Sequence, residues 1–299
     1  MPLVKYKSLN FRPASLAVIK QANSIISEYQ GQGYDLTLRQ LYYQFVARGI
    51  ILNSDREYKK IGEIVNNGRL AGLIDWGAIE DRTRPNRGIQ HWDDPQEIIT
   101  AIGQQFNIDT RADQDTYIEV WVEKDALVGV LERACDNLDV PYMSCRGYVS
   151  QSSMWEAAQR FIEKENNGKE AHLIHLGDHD PSGIDMSRDI QDRLRLFRSS
   201  CEVHRIALTM EQVRQYNPPP NPAKLTDSRC NGYIAEYGGE SWELDALEPQ
   251  VITALIEEAV GNLTDENRRD ALVGIQDDHR SDILWAAENW DEIMQGAAR

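Results

Sequence analysis

Two short segments constrain this chain more than anything else in it: Trp121-Val122-Glu123-Lys124-Asp125-Ala126 and Leu176-Gly177-Asp178-His179-Asp180-Pro181-Ser182-Gly183. Each places carboxylates directly after an apolar run. Tyr117-Ile118-Glu119-Val120-Trp121-Val122 is β-branched and aromatic, and His172-Leu173-Ile174-His175-Leu176 is short, apolar and closed by a glycine, so both read as buried strands. About fifty residues lie between the two acidic segments, with helical patterns at Leu127 to Leu138 and Ser152 to Asn166. That spacing suits parallel strands joined by crossover helices and predicts an α/β fold. Ligands of open parallel sheets bind beyond the carboxyl ends of the strands, so Glu123, Asp178 and Asp180 are expected at one edge. In an extended segment Asp178 and Asp180 face one way and His179 the other. Hard oxygen donors with no Cys or His ligand set favour Mg2+, or Mn2+ in its place, over zinc. The competing role for Asp178 and Asp180 is to cap a turn and the helix after Pro181.

A second clue lies upstream, in Thr37-Leu38-Arg39-Gln40-Leu41-Tyr42-Tyr43-Gln44-Phe45-Val46-Ala47-Arg48. Leu38, Leu41, Tyr42 and Phe45 fall at helical spacing, and Thr37 is placed to cap the start. Tyr43 is then expected off the apolar face, with Arg39 one turn before it, a pairing able to meet a phosphate. A second helix runs from Ser54 or Asp55 to Leu70. Gly72 to Trp76, a basic turn at Arg82 to Gly88, and Ile89 to Trp92 then read as two short strands around a wing, giving a winged helix-turn-helix. Arg56, Lys59, Lys60 and Arg69 on the second helix and Arg82, Arg84 and Arg87 on the wing are its natural DNA phosphate contacts.

Together these segments resemble the A subunit of topoisomerase VI, a type IIB topoisomerase, and its meiotic double-strand-break relatives, most of all the compact form called Mini-A. That family carries an Arg-x-x-Tyr-Tyr motif in a winged helix, then a Toprim domain with a glutamate after one strand and Asp-x-Asp after a later one. The resemblance covers residues 30 to 190 well and the remainder loosely. It implies that Tyr43 attacks a DNA backbone phosphorus to form a phosphotyrosyl link. Arg39 would neutralise the phosphate, and Glu123, Asp178 and Asp180 would hold Mg2+. Glu123 could alternatively act as a general acid or base, with Lys124 as an electrostatic aid. The partners implied are double-stranded DNA and a second copy of the chain, the tyrosine of one protomer working with the metal site of the other. Two departures bear on an ATPase B-type subunit and on ATP-driven strand passage: the extension ahead of the tyrosine helix is short, and no nucleotide-binding loop is evident. A Toprim nuclease using metal-activated water, similar to the overcoming-lysogenization-defect nucleases, is the alternative. A non-catalytic DNA-binding module is a second.

A formal charge of −16 argues at first against a nucleic-acid partner. The distribution of charge argues the other way: residues 1–92 hold 13 Lys and Arg against 8 Asp and Glu, whereas residues 93–299 hold 19 against 40. Residues 240–299 alone contribute 4 against 15, and screening over about 8 to 10 Å leaves the local basic patch to act. DNA binding is expected to be weak and strongly salt-sensitive. The domains expected are a winged helix over 1–95, a connecting helix or linker over 96–111, and a Toprim domain with acidic carboxyl-terminal helices over 112–299.

No apolar run long enough to cross a membrane and no signal-peptide core is present, so a cytoplasmic, nucleoid-associated protein is expected. The four cysteines form no Cys-x-x-Cys pair and indicate neither zinc nor a disulfide framework. The helix from Ile184 to Arg198, with Arg188, Arg193, Arg195 and Arg198, could track phosphates or be a solvated face. The proline-rich stretch from Tyr216 to Arg229 reads as a stiff surface arm after a strand, whose Lys224 and Arg229 could meet DNA. Glu243 or Asp245 could add a metal ligand or simply start a helix.

Overall fold

Capping and apolar spacing build the amino-terminal third from three helices: α1 (Pro13–Gly31), α2 (Leu38–Ala47) and α3 (Asp55–Leu70). The computed structural model describes residues 3–79, 89, 91–223, 227 and 229–297. Helix α2 begins with a reciprocal capping box: Gln40 N donates to Thr37 Oγ1 at 3.2 Å, and Thr37 N donates to Gln40 Oε1 at 2.9 Å. Ser54 caps α3 by accepting from Glu57 N at 3.3 Å. Ile19, Ile25 and Tyr29 of α1, Leu41 and Phe45 of α2, and Ile61 and Val65 of α3 close one core.

The strand expected over Gly72 to Trp76 is absent. Gly72 turns the chain with φ +71°, in space where a Cβ would lie 3.0 Å from Lys5 N, and Asp75 then caps a short 3-10 helix at Trp76–Ala78. Pairing here is reduced to isolated bridges between Lys5 and Ala71 and between Leu36 and Ile79. Ile89, His91 and Trp92 belong to no strand, and Arg82, Arg84 and Arg87 lie outside the described residues.

Helix α4 (Pro95–Gln105) leads to β1 (Thr116–Val122), α5 (Val128–Leu138), β2 (Tyr142–Ser144), α6 (Gln151–Asn166) and β3 (Glu170–Leu176). After these come α7 (Pro181–Leu196), β4 (Glu202–Ala207), α8 (Met210–Tyr216), β5 (Asn221–Pro222), α9 (Cys230–Tyr237) and β6 (Glu240–Ser241). The chain then runs through α10 (Pro249–Gly261), α11 (Glu266–Glu288) and α12 (Trp290–Ala297). The α/β expectation holds: β2-β1-β3-β4 form one sheet, parallel throughout, with Val120 opposite Tyr142 and Ile174, and Ile174 opposite His204. Ile118, Val120, Ile174 and Leu176 face α5 and α10, whereas Trp121 and Leu173 face α6 and α7. Burial on both faces accounts for the nearly continuous apolar strands.

Helix α4 lies along α11, approaching so closely at Gly103 that a Cβ there would sit 2.9 Å from Leu284. The proline-rich stretch follows helix α8, not a strand, and β5 pairs antiparallel with β6. Beyond β6, Trp242 and His179 exchange backbone hydrogen bonds of 2.8 and 2.9 Å, stitching the later chain to the acidic loop after β3. The helical third is tied to the same region: Ala246 joins its core, and Tyr29 Oη donates to Glu248 Oε2 at 2.5 Å. No helix among the described residues is long and apolar enough to cross a membrane. All four cysteines are free and buried.

Candidate functional site at the strand ends

A cavity of about 350 Å³ lies where α2 and the start of α3 meet the loop after β3 and the β5–β6 pair. Arg39, Tyr43, Asp178, Asp180, Asn221 and Glu243 all line it. The tyrosine helix and the Asp-x-Asp loop therefore share one cavity within a single chain, whereas the resemblance implied partners across two protomers.

The loop after β3 is fixed by its own hydrogen bonds. Glu123 Oε2 accepts from Asp178 N at 2.9 Å, and Asp178 Oδ1 accepts from Leu244 N at 2.9 Å. Asp180 caps α7, accepting from Gly183 N at 2.7 Å, so the competing capping role is present at this residue. Gly183 is required there, because a Cβ would fall 2.3 Å from Asp178 O. Beneath the loop, Arg205 donates to the carbonyls of Gly177 at 3.1 Å, Asp178 at 2.6 Å and Gly183 at 2.8 Å. Nothing in the sequence singles out Arg205, a charged residue within a strand. His179 turns away, as expected, to place Nδ1 2.8 Å from Tyr233 Oη.

Two cations meet the carboxylates. Lys124 Nζ lies 2.8 Å from Asp178 Oδ2, 2.8 Å from Glu243 Oε2 and 3.0 Å from Asp245 Oδ1. Arg39 pairs with Glu243 and, through Nε, with Asp245 Oδ2 at 2.9 Å. That last contact is one of charge without hydrogen-bond alignment, since both atoms are buried and lack a hydrogen-bond partner. Burial pushes the Asp178 carboxyl up to about 7, against the pull of Lys124 and with the help of Glu123 and Asp245. Burial also raises Glu123. Glu243 is held down at about 2, because Lys124 and Arg39 outweigh its burial. Glu243 and Asp245 thus reach the site by binding the cations of α2 and the β1 turn.

Tyr43 is 4 % exposed and belongs to the helical core, so it does not stand off the apolar face as expected. Its ring packs edge-on to Tyr42 at 5.3 Å, with the Arg39 guanidinium 5.9 Å from its centroid. Burial, then Asp245 and Glu243, raise its hydroxyl above the ordinary phenol range, opposed by Arg39 and a hydrogen bond with Asn221. Tyr42 is core, as expected, but its hydroxyl also ties α2 to the start of α3, donating to Asn53 Oδ1 at 2.9 Å and accepting from Ser54 N at 2.8 Å.

Of the expected DNA contacts, Arg56, Lys59 and Lys60 are on α3, Lys60 pairing with Glu57 at 3.0 Å. Arg69 departs from expectation: it is partly buried, stacks 4.5 Å over Trp76 and donates to Trp76 O at 2.6 Å. On α7, Arg188 pairs with Asp185 and Asp192, and Arg193 pairs with Asp189. Arg229 pairs with Asp185 and Asp227, and Lys224 lies outside the described residues.

As donors, Glu123, Asp178 and Asp180 suit a hard divalent cation. Lys124 Nζ already sits against Asp178, however, so such an ion would enter in competition with the ammonium. The group of three side chains placed to hold a metal among the described residues is elsewhere, at His172, Glu202 and His204. No protein-family model, curated protein or solved structure matches the chain.

Proposed function

We propose that the chain is a metal-dependent DNA-cleaving protein of the topoisomerase VI A type, with α1 to α3 serving as a winged-helix module and the parallel sheet as a Toprim domain. One observation carries this reading: Arg39 and Tyr43 share a cavity with Asp178 and Asp180. Tyr43 attacks the backbone phosphorus, forming a phosphotyrosyl link and releasing a DNA hydroxyl. Because its phenol is held protonated, attack requires a base; Glu123 is the carboxylate assigned that role as the alternative to metal binding. Arg39, released from Glu243, neutralises the non-bridging oxygens. Glu123, Asp178 and Asp180 would hold Mg2+ or Mn2+, which when bound supplies further phosphate charge neutralisation. A two-fold homodimer would set one such cavity on each strand of duplex DNA. The setting of this chemistry is the nucleoid.

A second reading is hydrolysis by a Toprim nuclease. It is favoured by the burial and raised pKa of Tyr43, which suit a tyrosine that packs and contacts phosphate better than one that attacks it. The test is to incubate labelled duplex with the protein and Mg2+ or Mn2+, then denature. DNA attached covalently to wild type and absent with Tyr43→Phe supports transesterification. Free cut product that survives Tyr43→Phe and vanishes with Asp178→Ala supports hydrolysis. A gel shift without cleavage supports a binding module and overturns both.

A further inference from the structure

His172, near the start of strand β3, lies six residues ahead of Asp178, about 20 Å at the rise of an extended chain. There the parallel register sets His172 opposite Glu202 and Ile174 opposite His204. His172, Glu202 and His204 project from the same face of two neighbouring strands. His172 Nδ1 and His204 Nε2 stand 3.0 Å apart, and Glu202 Oε2 is 3.9 Å from His204 Nε2. Two imidazole nitrogens on one tetrahedral zinc, each at about 2.0 to 2.1 Å, are themselves separated by roughly 3.3 Å. The pair, joined here by a hydrogen bond, is thus near ligating distance, and an ion would take the place of the shared proton. Glu170 Oε2 lies 3.9 Å from Nε2, the other nitrogen of His172, beyond hydrogen-bond distance. His172 is buried while Glu202 and Glu170 are largely exposed, so the group has a firm inner wall and an open outer face.

We propose that His172, His204 and Glu202 form a transition-metal site, with zinc or a similar borderline divalent ion as ligand and solvent in the remaining position. Two imidazoles and one carboxylate select such an ion over magnesium. Within the described residues β4 is an edge strand whose only sheet neighbour is β3. The ion therefore staples it to the strand that runs into the Asp178 loop. The site is independent of the DNA-cleavage reading and stands if that reading fails.

The test is calorimetric titration of metal-stripped full-length protein with zinc, repeated with cobalt to record its ligand-field absorption. Wild type is expected to bind one equivalent of zinc at this site and to give a cobalt spectrum of mixed nitrogen and oxygen ligation. At a hundredfold excess of zinc over Kd, its melting temperature should rise by about 5 °C. His204→Gln, on the half-exposed edge strand, should lose that equivalent and the melting shift while keeping the wild-type circular dichroism. Asp178→Asn should leave binding intact. Wild type that takes up no zinc, His204→Gln that binds as wild type does, or an equivalent lost with Asp178→Asn instead, would each overturn the proposal.

Discussion

At Asp178 one carboxylate meets opposing demands. Its Oδ1 fixes Leu244 N, its Oδ2 faces Lys124, and the whole group is withdrawn from water. Burial raises its folded pKa from 3.8 to about 7, so folding takes up a proton across that window. The folded state is helped by this group below pH 3.8, and the help is lost as pH rises towards 7. Asp178→Asn cannot ionise. The stability of that variant relative to wild type should therefore climb between about pH 4 and pH 7 and level off beyond, as read by urea denaturation across pH. A flat difference would show that Lys124 fully compensates the buried charge. Gly183 makes a purely steric demand. A methyl group at 2.3 Å from a backbone carbonyl forces the Asp178 loop apart, and Gly183→Ala should cost about 1 to 3 kcal/mol in the same measurement.

Elements with a single clear period are legible in the sequence, and those whose role depends on distant pairing are not. The apolar runs of β1 and β3 and the periodicity of α2, α5, α6 and α7 lead to elements at or close to the expected residues. Helix α1 has a helical spacing too, with Ile19, Ala22, Ile25, Ile26 and Tyr29 buried, but no motif in it draws the eye to that pattern. The strand expected at Gly72 to Trp76 fails because Gly72 turns the chain and the aliphatic side chains of the segment, Ile74 and Leu73, serve the helical core instead. Glu243 comes to the cavity, and Asp245 to the cations beside it, only because β6 and the Trp242–His179 bridge return the chain there. His172 and His204, 32 residues apart, meet only through strand register. Helix α2 gives the prediction proper to this scale. Thr37→Ala removes the capping box and should cost about 1 kcal/mol of stability. Because α2 carries both Arg39 and Tyr43, the variant should also slow any DNA cleavage more at 37 °C than at low temperature, where fraying of the first turn is suppressed. Parallel denaturation and cleavage time courses check this.

Across the whole molecule, charge is segregated by element, and this decides where a polyanion can approach. The segment from residue 1 to 92 is net basic inside a chain of net charge −16, and it sets Arg56, Lys59 and Lys60 together on one helix. Arg188 and Arg193 of α7 are spent on neighbouring aspartates and Arg69 on Trp76, so they have less freedom than Arg56 and Lys59 of α3, beside which Lys60 pairs with Glu57. If α3 faces the duplex, each cation that meets a phosphate releases counterions, contributing about 0.9 to the slope of log affinity against log salt. Replacing Arg56, Lys59 and Lys60 together by alanine should then lower affinity uniformly across sequences. It should also flatten that slope by about 2 to 3, measured by fluorescence anisotropy on a labelled duplex. Arg69→Ala should lower the melting temperature and leave the slope unchanged, because its guanidinium is committed to Trp76. An unchanged slope in the triple variant would move the DNA-facing surface off α3, and with it the approach of a phosphate to Tyr43.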